Sequence, residues 1–296
     1  MYYLCFMVIV NLLAKLPLWF LYRLSDVLYG LIAYVIRYRR AVITDNLRQS
    51  FPDRSDADIA RLRRGFYRNF CDLLVEIIKL PGLSADELRR RVHYTNPELV
   101  RASLEAGKPV IGLASHHCNW EWLPAAATLY GMPVDSVYKP LHNAFFEQLM
   151  VRIRSTFGPL PVPMGKLPRQ MAIDRNRPRI IALVADQMPD RPENAYWTDF
   201  MNRNTPFYPG LERLARGQQL PVFYIEMVRV RRGYYTATFT QIGTPPYSEL
   251  ATGELIERYR DALTNTLEKH PADWLWSHKR WKHHREKYDR VITKLE

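Results

Sequence analysis

The clearest fold signal in this chain of 296 residues is the stretch Val110-Ile111-Gly112-Leu113-Ala114-Ser115-His116-His117-Cys118-Asn119-Trp120-Glu121. Residues 110–114 form a short apolar run, which is typical of a buried β-strand. From residue 120 to residue 130 the apolar side chains recur at helical spacing. The predicted strand therefore delivers the chain directly to His116. Because ligands in α/β folds bind beyond the carboxyl ends of the strands, we expect a site at this turn.

Four further strands are predicted after this stretch, the last two as a hairpin: residues 134–138, 180–184, 222–230 and 234–242. Before it, residues 53–92 show helical spacing, with a capping box at Ser84 and Glu87 that starts a second helix. Strands alternating with helices indicate an α/β fold with a mixed, mostly parallel central sheet flanked by helices. Asp186 directly follows the strand at 180–184, so we expect it to face the same cleft as His116.

The residues after the first strand are those that proton-transfer chemistry needs. A histidine accepts a proton at neutral pH, and a carboxylate bound to its other ring nitrogen fixes the tautomer and stabilises the imidazolium. Such a pair suits the removal of a proton from a hydroxyl that attacks an acyl group. The spacing does not decide which histidine is the base. His117 and Glu121 share a face of a helix, whereas His116 can reach Glu121 only from a non-helical turn.

Two other chemistries use the same residue types. A zinc site built from His116, His117, Cys118 and Glu121 is disfavoured, because adjacent ligands cannot all converge on one ion and no second cluster supports them. A nucleophilic Cys118 would need an activating base and surroundings that lower its pKa. We therefore expect no metal and no cofactor.

Charge and cysteine content restrict the class of partner. The formal net charge is +12, with arginine-rich runs at residues 37–40, 61–64 and 89–91. Such a field favours anionic partners: nucleic acid, anionic lipid headgroups or an acidic carrier protein. Residues 274–284 interleave aromatic and basic side chains but carry no nucleic-acid-binding signature, so we expect no nucleic acid. The cysteines have no CxxC spacing, which predicts a reducing, cytosol-facing protein: Cys5, Cys71 and Cys118.

Residues 4–36 are strongly apolar but are interrupted by a proline and three charged residues. A membrane span takes about 20 mostly apolar residues. The segment is thus either one imperfect span or a hairpin that lies partly in the membrane. The basic run at residues 37–40 predicts that the following chain stays on the cytoplasmic side.

Residues 116–121 resemble the His-x4-Glu/Asp motif of the lysophospholipid acyltransferase superfamily. More closely, they resemble the His-Phe-Gly-Asn-Trp-Glu version found in the late acyltransferases of lipid A biosynthesis, the lauroyl and myristoyl transferases. The likeness continues in order along the chain, at Asn46-Leu47, Ser50-Phe51-Pro52, Tyr138-Lys139-Pro140, Asp186-Gln187, Gly210, Leu214-Ala215, Pro221, Pro271, Trp274, Trp276, His278, Arg280 and Lys282. The chain departs from the family at His117 and Cys118, where an aromatic residue and a glycine are common, and at Lys139, where the family has arginine.

The resemblance implies transfer of a fatty acyl group from acyl carrier protein to a hydroxyl of a lipid A precursor, on the cytoplasmic face of the inner membrane. It selects His116 as the general base, acting directly in a ternary complex, with Glu121 as the residue that orients it. With the charge of the chain, the resemblance leads us to expect that these residues bind substrate: Asn119, Trp120, Lys139, Arg154, Asp186, Gln187 and Arg191. Among these, Lys139, Arg154 and Arg191 are candidates for anion binding, and Asp186 holds another group of the site or caps a turn.

These inferences divide the chain into a membrane-anchoring segment, residues 1–40, and an acyltransferase domain, residues 41–296. One alternative is a related acyltransferase that acts on a lysophospholipid or another glycolipid. A second alternative, from another class, is a non-catalytic membrane scaffold that binds anionic lipid. A scaffold would need neither His116 nor Glu121.

Overall fold

Helices form most of the first ninety residues. The structure, a computed structural model, describes residues 2–288. Its first helices are α1 (Tyr2–Lys15), α2 (Leu18–Gly30), α3 (Arg40–Ser50), α4 (Asp56–Lys79) and α5 (Ala85–Arg91), with a π-helical turn at Leu31–Val35. The predicted helical region is thus two helices, and Ser84 caps the second, its Oγ accepting a hydrogen bond from the Glu87 backbone N–H at 3.1 Å. The Glu87 side chain binds Arg91 instead of completing the capping box.

A seven-stranded sheet follows, and the predicted fold class is confirmed. Its strands are β1 (Val92–Tyr94), β2 (Val110–Ala114), β3 (Val134–Tyr138), β4 (Leu160–Pro163), β5 (Ile180–Val184), β8 (Val222–Arg231) and β9 (Tyr234–Gly243). The spatial order is β1-β9-β8-β2-β5-β3-β4, and only the β8–β9 pair is antiparallel. A separate antiparallel pair contains β6 (Tyr196–Phe200) and β7 (Arg203–Phe207). The connecting helices are α6 (Glu98–Glu105), α7 (Trp122–Leu129), α8 (Ala144–Arg154), α9 (Leu167–Ile173), α10 (Gly210–Gln218) and α11 (Glu254–Lys269).

The five predicted strands are all present, and four strands in residues 2–288 were missed: β1, β4, β6 and β7. Of these, β1 and β4 are short or atypical. β1 has three residues, too few to show a period of two. β4 reads Leu-Pro-Val-Pro, and proline opposes a strand prediction because it cannot donate to the ladder. Both strands lie at the sheet edges, where a missing donor is tolerated.

β2 lies in the middle of the sheet, between β8 and β5, and all five of its residues are buried. Its side chains alternate between the two hydrophobic cores that cover the two faces. Gly112 is required there by space, since a Cβ atom would lie 2.7 Å from Ile180 Cγ2 and 3.0 Å from Ile225 Cδ1. The strand that leads to His116 is therefore fixed on both sides and both faces.

The amino-terminal hairpin, which we define as α1 and α2, packs against α4. Leu18 and Leu21 of α2 are buried, whereas Trp19 and Val27 on its other side are 67% and 69% exposed. The stretch Leu18–Val35 is long and apolar enough to cross a membrane, by length and composition alone, and 22% of it is buried against the rest of the protein. One face of the hairpin is thus part of the folded domain and the other is an exposed apolar surface.

Candidate active site

His116 and Asp186 meet because their strands are neighbours. β2 and β5 pair in parallel up to Ala114 and Val184, so both chains leave the sheet at the same edge. His116 Nδ1 lies 2.7 Å from Asp186 Oδ1, and the His116 backbone N–H donates to Asp186 Oδ2 at 2.9 Å. The two residues expected at one cleft are thus in direct contact, with His116 lining the cavity described below and Asp186 behind it.

Asp186 is fully buried, and it is held as a carboxylate. Trp274 Nε1 donates to its Oδ2 at 2.6 Å, in addition to the two contacts from His116. Burial by itself raises the pKa of the Asp186 carboxyl, but the charge of His116 and these donors outweigh burial and bring the pKa down to about 2. A buried carboxylate that faces one ring nitrogen of a histidine fixes its tautomer and supports the imidazolium.

Glu121 was expected to contact the His116 ring, but it binds Arg154 instead. Glu121 accepts two hydrogen bonds from Arg154, from Nε at 2.8 Å and Nη2 at 2.6 Å, and a longer one from Trp120 Nε1 at 3.3 Å. The reason is local: His116 lies on the turn before α7, whereas Glu121 occupies the residue before α7 and its side chain binds Arg154 at the end of α8. The carboxylate that binds the histidine ring is therefore the one from β5.

His117 and Cys118 support the turn from inside the protein. The two ring nitrogens of His117 lie 2.9 and 3.0 Å from the carbonyl oxygens of Met227 and His270. Its exposed fraction is 1%, whereas the His116 side chain is 19% exposed, so geometry favours His116 as the base. Cys118 is buried and has φ +54°, a left-handed conformation that glycine adopts most easily. Burial also raises the pKa of its thiol, which opposes a nucleophilic role.

A cavity of about 810 Å³ opens beside His116. Most of its wall is apolar, with side chains such as Leu167, Leu183 and Leu211, and this volume is in the range of small-molecule sites. Four of the predicted substrate-binding residues line the cavity: Trp120, Lys139, Arg154 and Gln187. Glu121 lines it as well.

The other three predicted substrate-binding residues do not line this cavity. Asn119 has no exposed surface, and its amide donates to Glu76 at 2.7 Å. Asp186 lies behind the wall, bound to His116. Arg191 is exposed in the loop after β5. Asn119 and Asp186 were predicted from the family motifs that contain them and Arg191 from its charge, and all three lie outside the cavity wall.

Two cations of the cavity are held by carboxylates. The Arg154 guanidinium, besides its two contacts with Glu121, lies over the Tyr138 ring at 5.3 Å. Lys139 binds Asp190 at 2.5 Å in an exposed ion pair. Arg213 of α10 also faces the cavity, and sequence analysis missed it because it occupies an ordinary exposed position of an amphipathic helix.

The carboxy-terminal segment covers the histidine from the other side. The Leu275 backbone N–H donates to the His116 carbonyl oxygen at 3.0 Å. Arg280 has no exposed surface, donates to the Pro206 carbonyl at 2.6 Å and lies near Asp186, whose charge opposes the fall in the Arg280 pKa caused by burial. Trp274, His278 and Arg280 were identified only through the family resemblance, and the structure places them around the histidine–aspartate pair.

His278 gives the site a pH-dependent contribution to stability. Burial, assisted by the charge of Arg280, lowers its pKa from 6.5 to about 4. His278 therefore binds a proton at higher pH in the unfolded chain than in the folded one. Its contribution to the unfolding free energy is complete above pH 6.5 and is lost as the pH falls toward 4.

We expect His278→Gln to reduce the pH dependence of the unfolding free energy in this window, by up to about 3 kcal/mol. Urea unfolding of the wild type and the variant at about pH 7 and about pH 4.5 measures this difference. His93→Gln, at an exposed position of β1, is the matched control and should leave the dependence unchanged. A wild-type pH dependence that survives in His278→Gln would contradict the prediction.

No metal site is indicated in residues 2–288, where no three His, Cys, Asp or Glu side chains are grouped as a metal ion would require.

The fold and this geometry define an α/β protein with a histidine–aspartate pair at strand ends, beside a largely apolar cavity. Residues 1–283 match the family described as bacterial lipid A biosynthesis acyltransferase, and the chain belongs to that family. It is therefore an acyltransferase, and the family implies an acceptor of the lipid A type. No curated protein sequence matches the chain.

Proposed function

We propose that the protein transfers a fatty acyl chain from acyl carrier protein to a hydroxyl group of a lipid A precursor. The observation that carries this proposal is the His116–Asp186 pair, 2.7 Å apart, at the wall of a cavity lined mostly by apolar side chains. The pair supplies a base where the acceptor hydroxyl would lie. The apolar wall would bury the acyl chain, at a gain of about 0.8 kcal/mol for each CH₂ group.

In the proposed reaction, Asp186 holds the Nδ1 proton of His116, and Nε2 removes the proton from the acceptor hydroxyl. The hydroxyl oxygen attacks the thioester carbonyl carbon in a ternary complex with the donor. A new ester C–O bond forms, the C–S bond breaks, and the departing thiolate receives the proton from the imidazolium. Asp186 stabilises the imidazolium while the tetrahedral intermediate exists.

Arg154 and Lys139 are the proposed contacts for anionic groups of the acceptor. Arg154 is fixed by two hydrogen bonds to Glu121, so part of its guanidinium is pre-oriented toward the cavity. Glu121 thereby acts on the substrate through Arg154, and we retain it as a residue required for turnover. Lys139 presents a point charge without the bidentate geometry of the arginine common in the family.

The net charge of the chain supports acyl carrier protein as the acyl donor. A net charge of +12 attracts an acidic carrier protein and an anionic acceptor to the same enzyme. Trp120 stands at the cavity wall with its ring 4.9 Å from that of His116, and Gln187 lines the cavity next to Asp186 in sequence. We propose both as contacts near the reacting thioester.

We propose that residues 1–40 attach the enzyme to the cytoplasmic face of the inner membrane and that residues 41–296 form the acyltransferase domain. The exposed apolar side chains of the hairpin support this division, since apolar residues such as Trp19 and Val27 face away from the domain. Because the hairpin's other face is packed on α4, the arrangement favours a hairpin that lies in the interface over a free span.

Trp19→Glu is expected to weaken membrane attachment by placing a charge on that apolar face, and to leave acyl transfer in detergent solution unchanged. Flotation with vesicles that contain anionic phospholipid measures the bound fraction. Ile173→Glu is the matched control, since Ile173 is 66% exposed, close to the 67% of Trp19, but lies on α9. Equal flotation of both variants and the wild type would contradict the proposed attachment face.

The function itself is tested by incubating the purified chain with candidate acceptors and with acyl carrier protein that carries a radiolabelled acyl chain. Transfer to a lipid A precursor is the expected result. Transfer to a lysophospholipid alone would replace the proposed acceptor by the alternative one. Vesicle binding without transfer to any acceptor would contradict the enzymatic proposal.

A further inference from the structure

Glu76 is an ionisable residue in the interior of the protein, with no exposed surface. Its carboxylate accepts three hydrogen bonds, from Tyr22 at 2.9 Å, from Asn119 at 2.7 Å and from Tyr235 at 2.7 Å. Burial raises the pKa of this carboxyl, and the charge of Arg229, together with the three donors, opposes that rise. Buried carboxylates are costly, so a complete set of donors around one indicates a specific role for the contacts.

One of these contacts reaches the turn that carries His116. The Asn119 amide donates to Glu76, and its carbonyl Oδ1 accepts the Trp122 backbone N–H at 3.2 Å. The Trp122 indole donates to the backbone carbonyl of Glu76 at 3.0 Å. Glu76 thus fixes both residues that close the turn after His116 and start α7.

Another contact reaches the amino-terminal hairpin, because Tyr22 belongs to α2. Glu76 is flanked on the same face of α4 by Asp72 and Lys79. Asp72 accepts a hydrogen bond from Ser25 of α2 at 2.6 Å, and Lys79 donates to the Ala14 carbonyl of α1 at 2.8 Å. The hairpin is therefore docked through directional polar contacts as well as apolar packing, and Glu76 is the residue of this face that also contacts the catalytic turn.

We propose that Glu76 is a positioning residue that couples docking of the amino-terminal hairpin to the geometry of the turn that carries His116. Tyr22 aligns the Glu76 carboxylate, the carboxylate aligns Asn119, and Asn119 closes the turn. The hairpin is then part of the catalytic unit as well as a means of attachment. This inference rests on the proposed acyl transfer, since it concerns the rate of that reaction.

Tyr22→Phe removes one hydroxyl from the coupling and keeps the ring. In detergent solution, where attachment to a bilayer does not limit the rate, kcat should fall by about 3- to 10-fold with KM for both substrates unchanged. Tyr67→Phe is the matched control, because the Tyr67 hydroxyl also links α4 to the amino-terminal region, donating to the Tyr38 carbonyl at 2.8 Å. It lies outside the Glu76 contacts, so kcat should stay at the wild-type value.

Substitutions of Glu76 separate positioning from filling of space. Glu76→Gln keeps an oxygen that can accept from Asn119 and Tyr235, and its NH₂ group can donate to the Tyr22 hydroxyl, which can reverse its role. We expect this variant to retain kcat within about 3-fold, whereas Glu76→Ala leaves Asn119 without an acceptor and should lose about 10-fold or more.

Amide hydrogen exchange over residues 116–122 of the full chain reports on the turn without any assay of activity. We expect these amides to exchange faster in Tyr22→Phe than in the wild type, and at the wild-type rate in Tyr67→Phe. If Tyr22→Phe leaves both kcat and this exchange at the wild-type values, the coupling is wrong. If the wild type transfers no acyl group, the proposed function fails, and the exchange comparison still decides the coupling.

Discussion

The His116→Ala variant is expected to lose acyl transfer by a factor of about 10²–10⁴, the range that a positioned general base contributes. The physical reason is that His116 and His142 both line the cavity, and of the two it is His116 whose ring faces a buried carboxylate. His117 cannot replace the base, because its ring is buried between two backbone carbonyl groups. Initial rates of acyl transfer under single-turnover conditions measure the loss directly.

His93→Ala is the control for this variant, since His93 is exposed on β1. It should transfer acyl groups at the wild-type rate. Urea unfolding of both variants checks that the fold is retained, and vesicle flotation should give the wild-type result for both. Turnover by His116→Ala at more than about one tenth of the wild-type rate would overturn the assignment of the base.

The second large effect is expected for Asp186→Asn. The asparagine oxygen can still accept from the His116 backbone N–H, but its NH₂ group then faces Nδ1 and donates to it. The imidazole would carry its proton on Nε2 and could no longer accept one there. The same Asp→Asn substitution in a serine protease triad lowers kcat by about 10⁴-fold. We expect Asp186→Asn to lower kcat by about 10³–10⁴-fold. Measuring kcat over a range of pH tests this.

Glu121→Gln is the comparison that separates the two carboxylates. Glu121 binds Arg154, and in the described residues no hydrogen bond joins it to the His116 ring, so its loss acts on a partly exposed cation of the cavity. We expect Glu121→Gln to lower activity without changing the pH profile of kcat. Asp186→Asn removes the charge that faces the base and should change that profile. A change in the profile for Glu121→Gln with none for Asp186→Asn would restore Glu121 as the partner of His116.

The backbone conformation of Cys118 bears on a departure of this chain from its family. The residue after His117 adopts a left-handed backbone conformation, which is why a glycine suits that place. Cys118 accepts the conformation at some cost, and its thiol contacts the Met227 carbonyl at 3.3 Å. His117 and Cys118 therefore belong to the support of the turn, and the chemistry is left to His116.

The sequence by itself determined the features that depend on local pattern. Three features were predicted because each depends on residues that are adjacent in the sequence: the strand at residues 110–114, the hairpin near residue 233 and the cap at Ser84. The position of His116 at a strand end followed from the same pattern. The family resemblance then supplied the class of reaction, and the match over residues 1–283 confirmed the family.

Tertiary structure alone decided which groups touch. Asp186 is 70 residues from His116 in the chain, and their contact exists because β2 and β5 are neighbours in the sheet, an order that no local pattern encodes. The family resemblance favoured Glu121, only five residues away, yet its carboxylate binds Arg154. Likewise, Glu76, Asn119 and Tyr22 converge from three separate segments. A hydrogen bond depends on direction and on a separation of about 3 Å, and only the packed fold fixes both.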